Sequence, residues 1–239
     1  MSTTPIALIL GSGPNVGTAL TTSLTALNYR IATASRSGTN TLNPTNGTLS
    51  LAADFSSPSC IPSLFAAVRR EYGVAPSVVI WNASALTPPP VEGNVLSVPQ
   101  DQFVNDLNVN TVSPYVAAME AVRAWDGELG GDGKGAKSNR TFIYTGNTLN
   151  QTIMPVPLFL TLGVGKSASA HWVGLADATY RDRRYRFFYA DQREPDGTPM
   201  VKGVDGPAHG EFYASLAQRE SDDVPWLATF VKDKGYVKF

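Results

Sequence analysis

Ile6-Ala7-Leu8-Ile9-Leu10-Gly11-Ser12-Gly13-Pro14-Asn15-Val16-Gly17 is the stretch that decides how this chain folds. Its first five residues are an unbroken apolar run, which reads as a strand buried on both faces. A Gly-rich turn follows and opens into a helix-competent segment, residues 18–27. Glycines let the backbone come close to a diphosphate, and the first amides of the next helix point at a bound anion with the favourable end of the dipole. The stretch therefore reads as a strand, a turn and a helix built for a nucleotide. The alternative is an ordinary strand-to-helix turn.

Gly11 and Gly13 begin a G-x-G-x-x-G pattern, but its last position is Val16 and the third glycine comes one place later, at Gly17. A longer G-x-x-x-G-x-G pattern fits, with Asn15 at its middle glycine, and Asn is the residue other than glycine that best tolerates a positive φ. At this motif the sequence resembles the short-chain dehydrogenase/reductase family. The resemblance implies that Gly11, Gly13, Asn15, Val16 and Gly17 hold a nicotinamide dinucleotide.

Residues 30–34 read as a second strand that ends at Ser35-Arg36-Ser37. A dinucleotide fold reads the adenosine ribose here, an acid accepting from a free 2'-hydroxyl and an arginine pairing with a 2'-phosphate. Arg36 therefore points to NADP(H) over NAD(H), against the alternative of a surface arginine in a turn. Residues 48–53 alternate into a third strand, followed by Asp54-Phe55, and a helix opens at Pro58 and runs to residue 70. The resemblance implies that Asp54 and Phe55 contact the adenine; as bare sequence, Asp54 could equally cap a turn. Residues 78–81 are a fourth strand ending in Asn82-Ala83-Ser84, similar to the family's N-A-G segment along the cofactor, with Ser84 in place of glycine.

Residues 99–125 read as one long helix containing Asn108-Val109-Asn110-Thr111 and then Pro114. Proline has no N–H, so Pro114 leaves the carbonyl of Asn110 without its helical donor. In the family the asparagine at this place uses that carbonyl to hold a water that relays protons to the active-site lysine. A mere kink at Pro114 is the other reading. Residues 140–145 form a fifth strand, 158–182 a helix, 186–190 a sixth strand, 207–219 a helix and 235–239 a last strand. The proline-rich residues 86–99 and the glycine-rich residues 127–135 read as loops. Residues 192–206 form the longest polar insertion, a candidate lid over a substrate.

The family's chemistry depends on Tyr-x-x-x-Lys, two residues one helical turn apart, the lysine lowering the tyrosine's proton affinity and binding the nicotinamide ribose. Lys166 stands in the expected helix, but the tyrosine position is Leu162. The matching serine after the fifth strand is also missing, leaving only Thr145 near that place. Tyr144, Tyr115 and His171 are substitute acids or ordinary structural residues. Asp191, Arg193 and Glu194 follow the sixth strand, as substrate-loop residues or a solvated loop.

Composition sets the remaining bounds. With 239 residues and 43% hydrophobic content the chain can bury the core of one α/β domain. A formal net charge of -1 and a pI near 6.1 leave no footprint for nucleic acid, and the basic residues 181–186 read as a solvated helix end. Cys60 is the only cysteine, so there is no internal disulfide. No metal site is expected. Without a signal peptide or a membrane-length apolar run, the reading is a soluble, cytoplasmic protein.

The whole predicts a single-domain, Rossmann-type, doubly wound parallel sheet of about seven strands with helices on both faces. Its expected role is an atypical NADP(H)-dependent oxidoreductase acting on a small imine or iminium, activated double bond or ketone. Lys166, Asn110 and Thr145 are the catalytic candidates. An iminium suits the missing acid, because hydride addition neutralises a charge already present. The alternative is a cofactor-binding protein without redox turnover. The family resemblance implies a homodimer or homotetramer through the two long helices, where Met119, Val122, Trp125 and Trp172 suit either a contact or core packing.

Overall fold

Ile6, Leu8 and Leu10 enter one buried cluster and Ala7 and Ile9 the other. A strand with both faces buried belongs in the middle of a covered sheet, and the computed structural model, which describes residues 4–129, 139–221 and 223–239, has it there. In chain order the elements are β1 (Ile6–Leu10), α1 (Val16–Ala26), β2 (Arg30–Ser35), β3 (Thr41–Leu42), β4 (Leu49–Ala52), α2 (Ile61–Tyr72) and β5 (Val78–Trp81). Then come α3 (Gln100–Leu107), α4 (Ser113–Leu129), β6 (Arg140–Thr145), α5 (Leu160–Tyr180), β7 (Tyr185–Gln192), α6 (Gly206–Gln218), β8 (Leu227–Val231) and β9 (Gly235–Tyr236).

The sheet order is β3-β4-β2-β1-β5-β6-β7-β8-β9, parallel from β4 to β8. The expected doubly wound architecture stands, with nine strands among the described residues rather than about seven. The two additional strands are β3, a two-residue edge piece, and β8, which the sequence analysis left unassigned before the last strand. β3 and β9 pair antiparallel at the two edges. Short edge strands of this kind blunt the open ends of a sheet.

α1 and α6 pack together over one face. α2, α4 and α5 cover the other, where Trp81, Trp125, Phe142, Tyr144, Phe187 and Tyr189 fill the core. Trp125 is fully buried and donates to the carbonyl of Pro76 at 2.7 Å, so it serves the core rather than a contact between copies. The chain order reverses direction between β1 and β5, which opens a crevice at the carboxyl ends of these strands.

Residues 99–125 are not one continuous helix: a π-helical segment, Asn108–Val112, separates α3 from α4. Pro114 supplies the cause, since it has no N–H for the carbonyl of Asn110 and the turn widens around the missing bond. The predicted loop at residues 127–135 begins later than expected, since α4 runs through Leu129; residues 130–138 lie outside the described residues. The basic residues 181–186 are only partly solvated, because Arg186 is buried and its Nε lies 2.7 Å from Asp177. Among the described residues, no helix is long and apolar enough to cross a membrane.

Candidate active site

The turn after β1 is held open from two sides. Gly11 has φ 103°, and a Cβ there would run into the backbone of Ala83. Asn82 closes this approach by donating from Nδ2 to the carbonyl of Gly11 at 2.8 Å. Gly13 differs, because a Cβ at that position would meet nothing within 4 Å and would project into open space. The turn thus keeps a cradle that any side chain at position 13 would fill. Val16 and Gly17 open α1, where first-turn amides have no intrahelical acceptor. Asn15 does not take up the positive φ expected of it: its φ is -92°, and its side chain instead donates to the carbonyl of Val204 at 2.8 Å.

A cavity of about 1020 Å³ spreads from this turn across the carboxyl ends of β1, β2, β4 and β5. Gly11, Gly13, Ser35, Arg36, Ser37, Asp54, Phe55, Asn82, Ala83 and Ser84 all line it. Arg36 is exposed on its rim. Asp54 caps a turn and also lines the cavity. Its Oδ1 accepts from the amide of Ser56 at 3.0 Å and the hydroxyl at 2.8 Å, which holds its carboxyl below the usual range, while it faces the cavity. Phe55 is buried against Trp81, ring centroids 4.8 Å apart, and forms part of the floor. The residues present fit a dinucleotide: an open glycine cradle, a helix amino end and a rim arginine.

A second cavity, of about 320 Å³, adjoins the first and shares Asn82 and Ser84 with it. Val16, Thr145, Leu162, Lys166, Asp191, Gln192 and His209 line it, and Pro199, Met200, Val201 and Val204 of the long insertion stand at its edge. Leu162 and Lys166 face it together, as residues one helical turn apart must. Lys166 is only 3% exposed; its Nζ donates to the carbonyl of Thr145 at 2.6 Å and lies 4.5 Å from the centroid of the Tyr144 ring. Burial pushes its ammonium down to about 7, with nearby Asp191 acting the other way. Asp191 is 1% exposed and accepts from Arg193 Nε at 2.6 Å. Burial pushes its carboxyl up to about 6 against the pull of Arg193 and Lys166. The alternative of a solvated loop for Asp191 and Arg193 is therefore overturned: β7 extends through Gln192, and both residues are buried.

Asn110 is fully buried behind this cavity. Its carbonyl, released by Pro114, accepts two hydroxyls, Tyr144 and Ser169, each at 2.7 Å, where a relay water was the expectation. Its side chain clamps the loop after β5, Nδ2 donating to the carbonyl of Ala85 at 2.7 Å and Oδ1 accepting the Ala85 amide at 3.0 Å. α5 comes so near that a Cβ on Gly165 would collide with Cβ of Asn110. Thr145 lines the cavity, and its hydroxyl accepts from Tyr213 at 3.1 Å. No side chain fits at Gly146, because a Cβ there would enter the ring of Tyr189.

The substitute acids lie elsewhere. Tyr144 is spent on Asn110, and burial raises its hydroxyl well above the ordinary phenol range. Tyr115 is 53% exposed beside Trp172, and His171 is exposed. Sequence reading missed His209 altogether. Its Nδ1 lies 2.7 Å from the carbonyl of Asp205, so this nitrogen carries the proton and Nε2 is the free acceptor. Burial lowers its ring's proton affinity. Only the fold brings it to the cavity from α6. An apolar groove of about 590 Å³, walled by residues such as Ile153, Val156, Leu160 and Val164, continues from this cavity across Leu149, Met154 and Phe159.

Fold and site together define a Rossmann-type α/β protein with its glycine turn and an adjoining lysine cavity at the switch point of the sheet. The chain belongs to the short-chain dehydrogenase/reductase family, being 36% identical over 248 residues to the short chain dehydrogenase/reductase dmxR12 of Cryptosporiopsis sp. (strain 8999), with 98% of this chain and 95% of that protein covered. Among solved structures, a metagenomic short-chain oxidoreductase in complex with NADP is similar at TM-score 0.74 and 14% identity, covering 96% of each chain. A 3-ketoacyl-(acyl-carrier-protein) reductase from Brucella melitensis complexed with NADH is similar at TM-score 0.77 and 14% identity, covering 97% of this chain and 98% of that one. No family model matches the sequence.

Proposed function

We propose that this protein is an NADP(H)-dependent reductase that transfers hydride to a small organic substrate, an imine or iminium, an activated double bond or a ketone, without the tyrosine acid usual in its family. One observation carries the reading: the glycine-turn cavity and the Lys166 cavity meet at Asn82 and Ser84, so an extended dinucleotide filling the first reaches the second. The two solved relatives hold NADP and NADH respectively, so fold alone does not choose between them. Arg36 on the rim favours the 2'-phosphate.

Bound NADPH would supply the hydride. Lys166 would hold the nicotinamide ribose, Asn110 would shape the site through its clamp on Ala85, and Thr145 would fix the lysine through its carbonyl. The apolar groove beside Phe159 gives a hydrophobic substrate tail somewhere to lie. Exposed Tyr115 and Met119 on α4 and Leu175 on α5 suit a homodimer or homotetramer.

The test is NADPH consumption by the purified protein with panels of cyclic imines, enones and ketones. Substrate-dependent consumption supports the reductase reading. Binding of NADPH with no consumption across all three panels overturns it in favour of a non-redox role.

A further inference from the structure

The site lacks its family's tyrosine acid, yet it contains a buried carboxyl that the reductase reading has not used. Asp191 stands at the carboxyl end of β7 and lines the same cavity as Leu162 and Lys166. Its Oδ2 accepts from Arg193 Nε, and Arg193 is tied back by the carbonyl of Gly197 at 3.1 Å and by Gln151 at 3.4 Å. Among the described residues nothing donates to Oδ1. A carboxyl with one oxygen anchored and the other unpartnered in a largely apolar cavity is arranged to hold a proton there and release it.

We propose that Asp191 Oδ1 is the proton donor of this site, with Arg193 as the residue that positions it, and that the substrate is one whose oxygen gains negative charge on reduction, a ketone or an enone. The inference rests on the reductase reading above and narrows its substrate class. For a ketone, a C–H bond forms at the carbonyl carbon with hydride from NADPH and the C=O π pair moves to oxygen. Oδ1 then gives its proton to that oxygen, leaving alcohol, NADP⁺ and an aspartate that solvent reprotonates. Lys166 and Arg193 put two cationic groups beside one carboxyl, which suits developing negative charge and disfavours an iminium cation.

The groups that act on Asp191 come from each element around it: Lys166 on α5, Arg193 beyond its own strand, Tyr189 on β7 and Tyr213 on α6, with His209 across the cavity. Burial dominates, so the carboxyl still holds its proton at a pH where exposed aspartates have lost theirs.

The experiment pairs kinetics with a titration that needs no turnover. Asp191→Asn keeps an acceptor for Arg193 but carries no transferable proton. With a ketone or enone substrate its kcat should fall about 10²–10⁴-fold, with unchanged NADPH affinity, whereas Asp191→Glu should recover part of the rate. Wild-type kcat should fall as pH rises through about 6, and that limb should vanish in Asp191→Asn. In cofactor-free protein, carboxyl carbon NMR should show Asp191 titrating well above an ordinary aspartate, and the Lys166 ε-carbon midpoint should move down in Asp191→Asn. Wild-type turnover that Asp191→Asn retains, or an Asp191 that titrates like an exposed aspartate, overturns this inference while the reductase reading stands. A wild type that binds NADPH and never consumes it overturns both.

Discussion

Lys166 is a destabilising residue to bury. Its folded proton affinity, pushed down to about 7, lies below that of the unfolded chain, so the fold favours the neutral amine. The cost is fully present below about 7 and is relieved as pH rises from there towards the ordinary lysine range. Lys166→Met should therefore raise the melting temperature at neutral pH and flatten its rise with pH, while abolishing NADPH-dependent turnover. Calorimetry from pH 6 to 10 checks this; a Met variant that is less stable would mean that the bond to Thr145 outweighs burial. Four residues earlier, Leu162→Tyr restores a phenol one turn from the lysine. NADPH oxidation with simple ketones should rise at least about tenfold in this variant. No gain would mean that the helix does not present position 162 to a bound substrate.

The lysine and Leu162 were legible as single residues because the family resemblance implies a Tyr-x-x-x-Lys in this helix, and residues one turn apart share a face. His209 was not, since a histidine inside a helix carries no local mark of what the fold sets opposite it; Asp191 was legible as a residue after a strand, in a substrate loop or a solvated one, but not as a buried carboxyl. Asn15 misled for a related reason. Its tolerance for positive φ is real, but here the carbonyl of Val204, far along the chain, takes its side chain instead.

At the level of elements, the junction of α3, the π-helical segment and α5 determines where Lys166 stands. Pro114 predicted the release of the Asn110 carbonyl from sequence alone, but not the hydroxyls that fill it, because Tyr144 and Ser169 arrive from β6 and α5. Ser169→Ala should cost about 1 kcal/mol in urea unfolding, as Tyr144 still satisfies the carbonyl. Gly165→Ala is harsher, because a methyl would force α5 off Asn110; about 1–3 kcal/mol of overpacking is expected, together with weaker cofactor binding. A Gly165→Ala protein as stable as wild type would show that α5 can slide without loss.

Over the whole molecule, the doubly wound order could be read from the alternation of apolar runs and amphipathic segments, because both faces of β1 had to be covered. β8 escaped because its approach through Pro225 and Trp226 looks like loop, and its burial comes from α6 and β7 rather than from its own pattern. The lining of the larger cavity was almost entirely legible, since glycine turn, rim and floor all sit at strand ends. The lining of the smaller cavity was less so, because elements distant in sequence converge on it.

The central claim is that the joined cavities hold NADPH. The most direct measurement is a titration of the purified protein with NADPH and with NADH, following energy transfer from its four tryptophans, for wild type and Arg36→Ala. Trp81 lies against Phe55, which lines the larger cavity, and is well placed to report. The account predicts tight NADPH binding, weakened about tenfold or more in Arg36→Ala, with NADH binding poorly to both. Binding of neither dinucleotide by the wild type would contradict it.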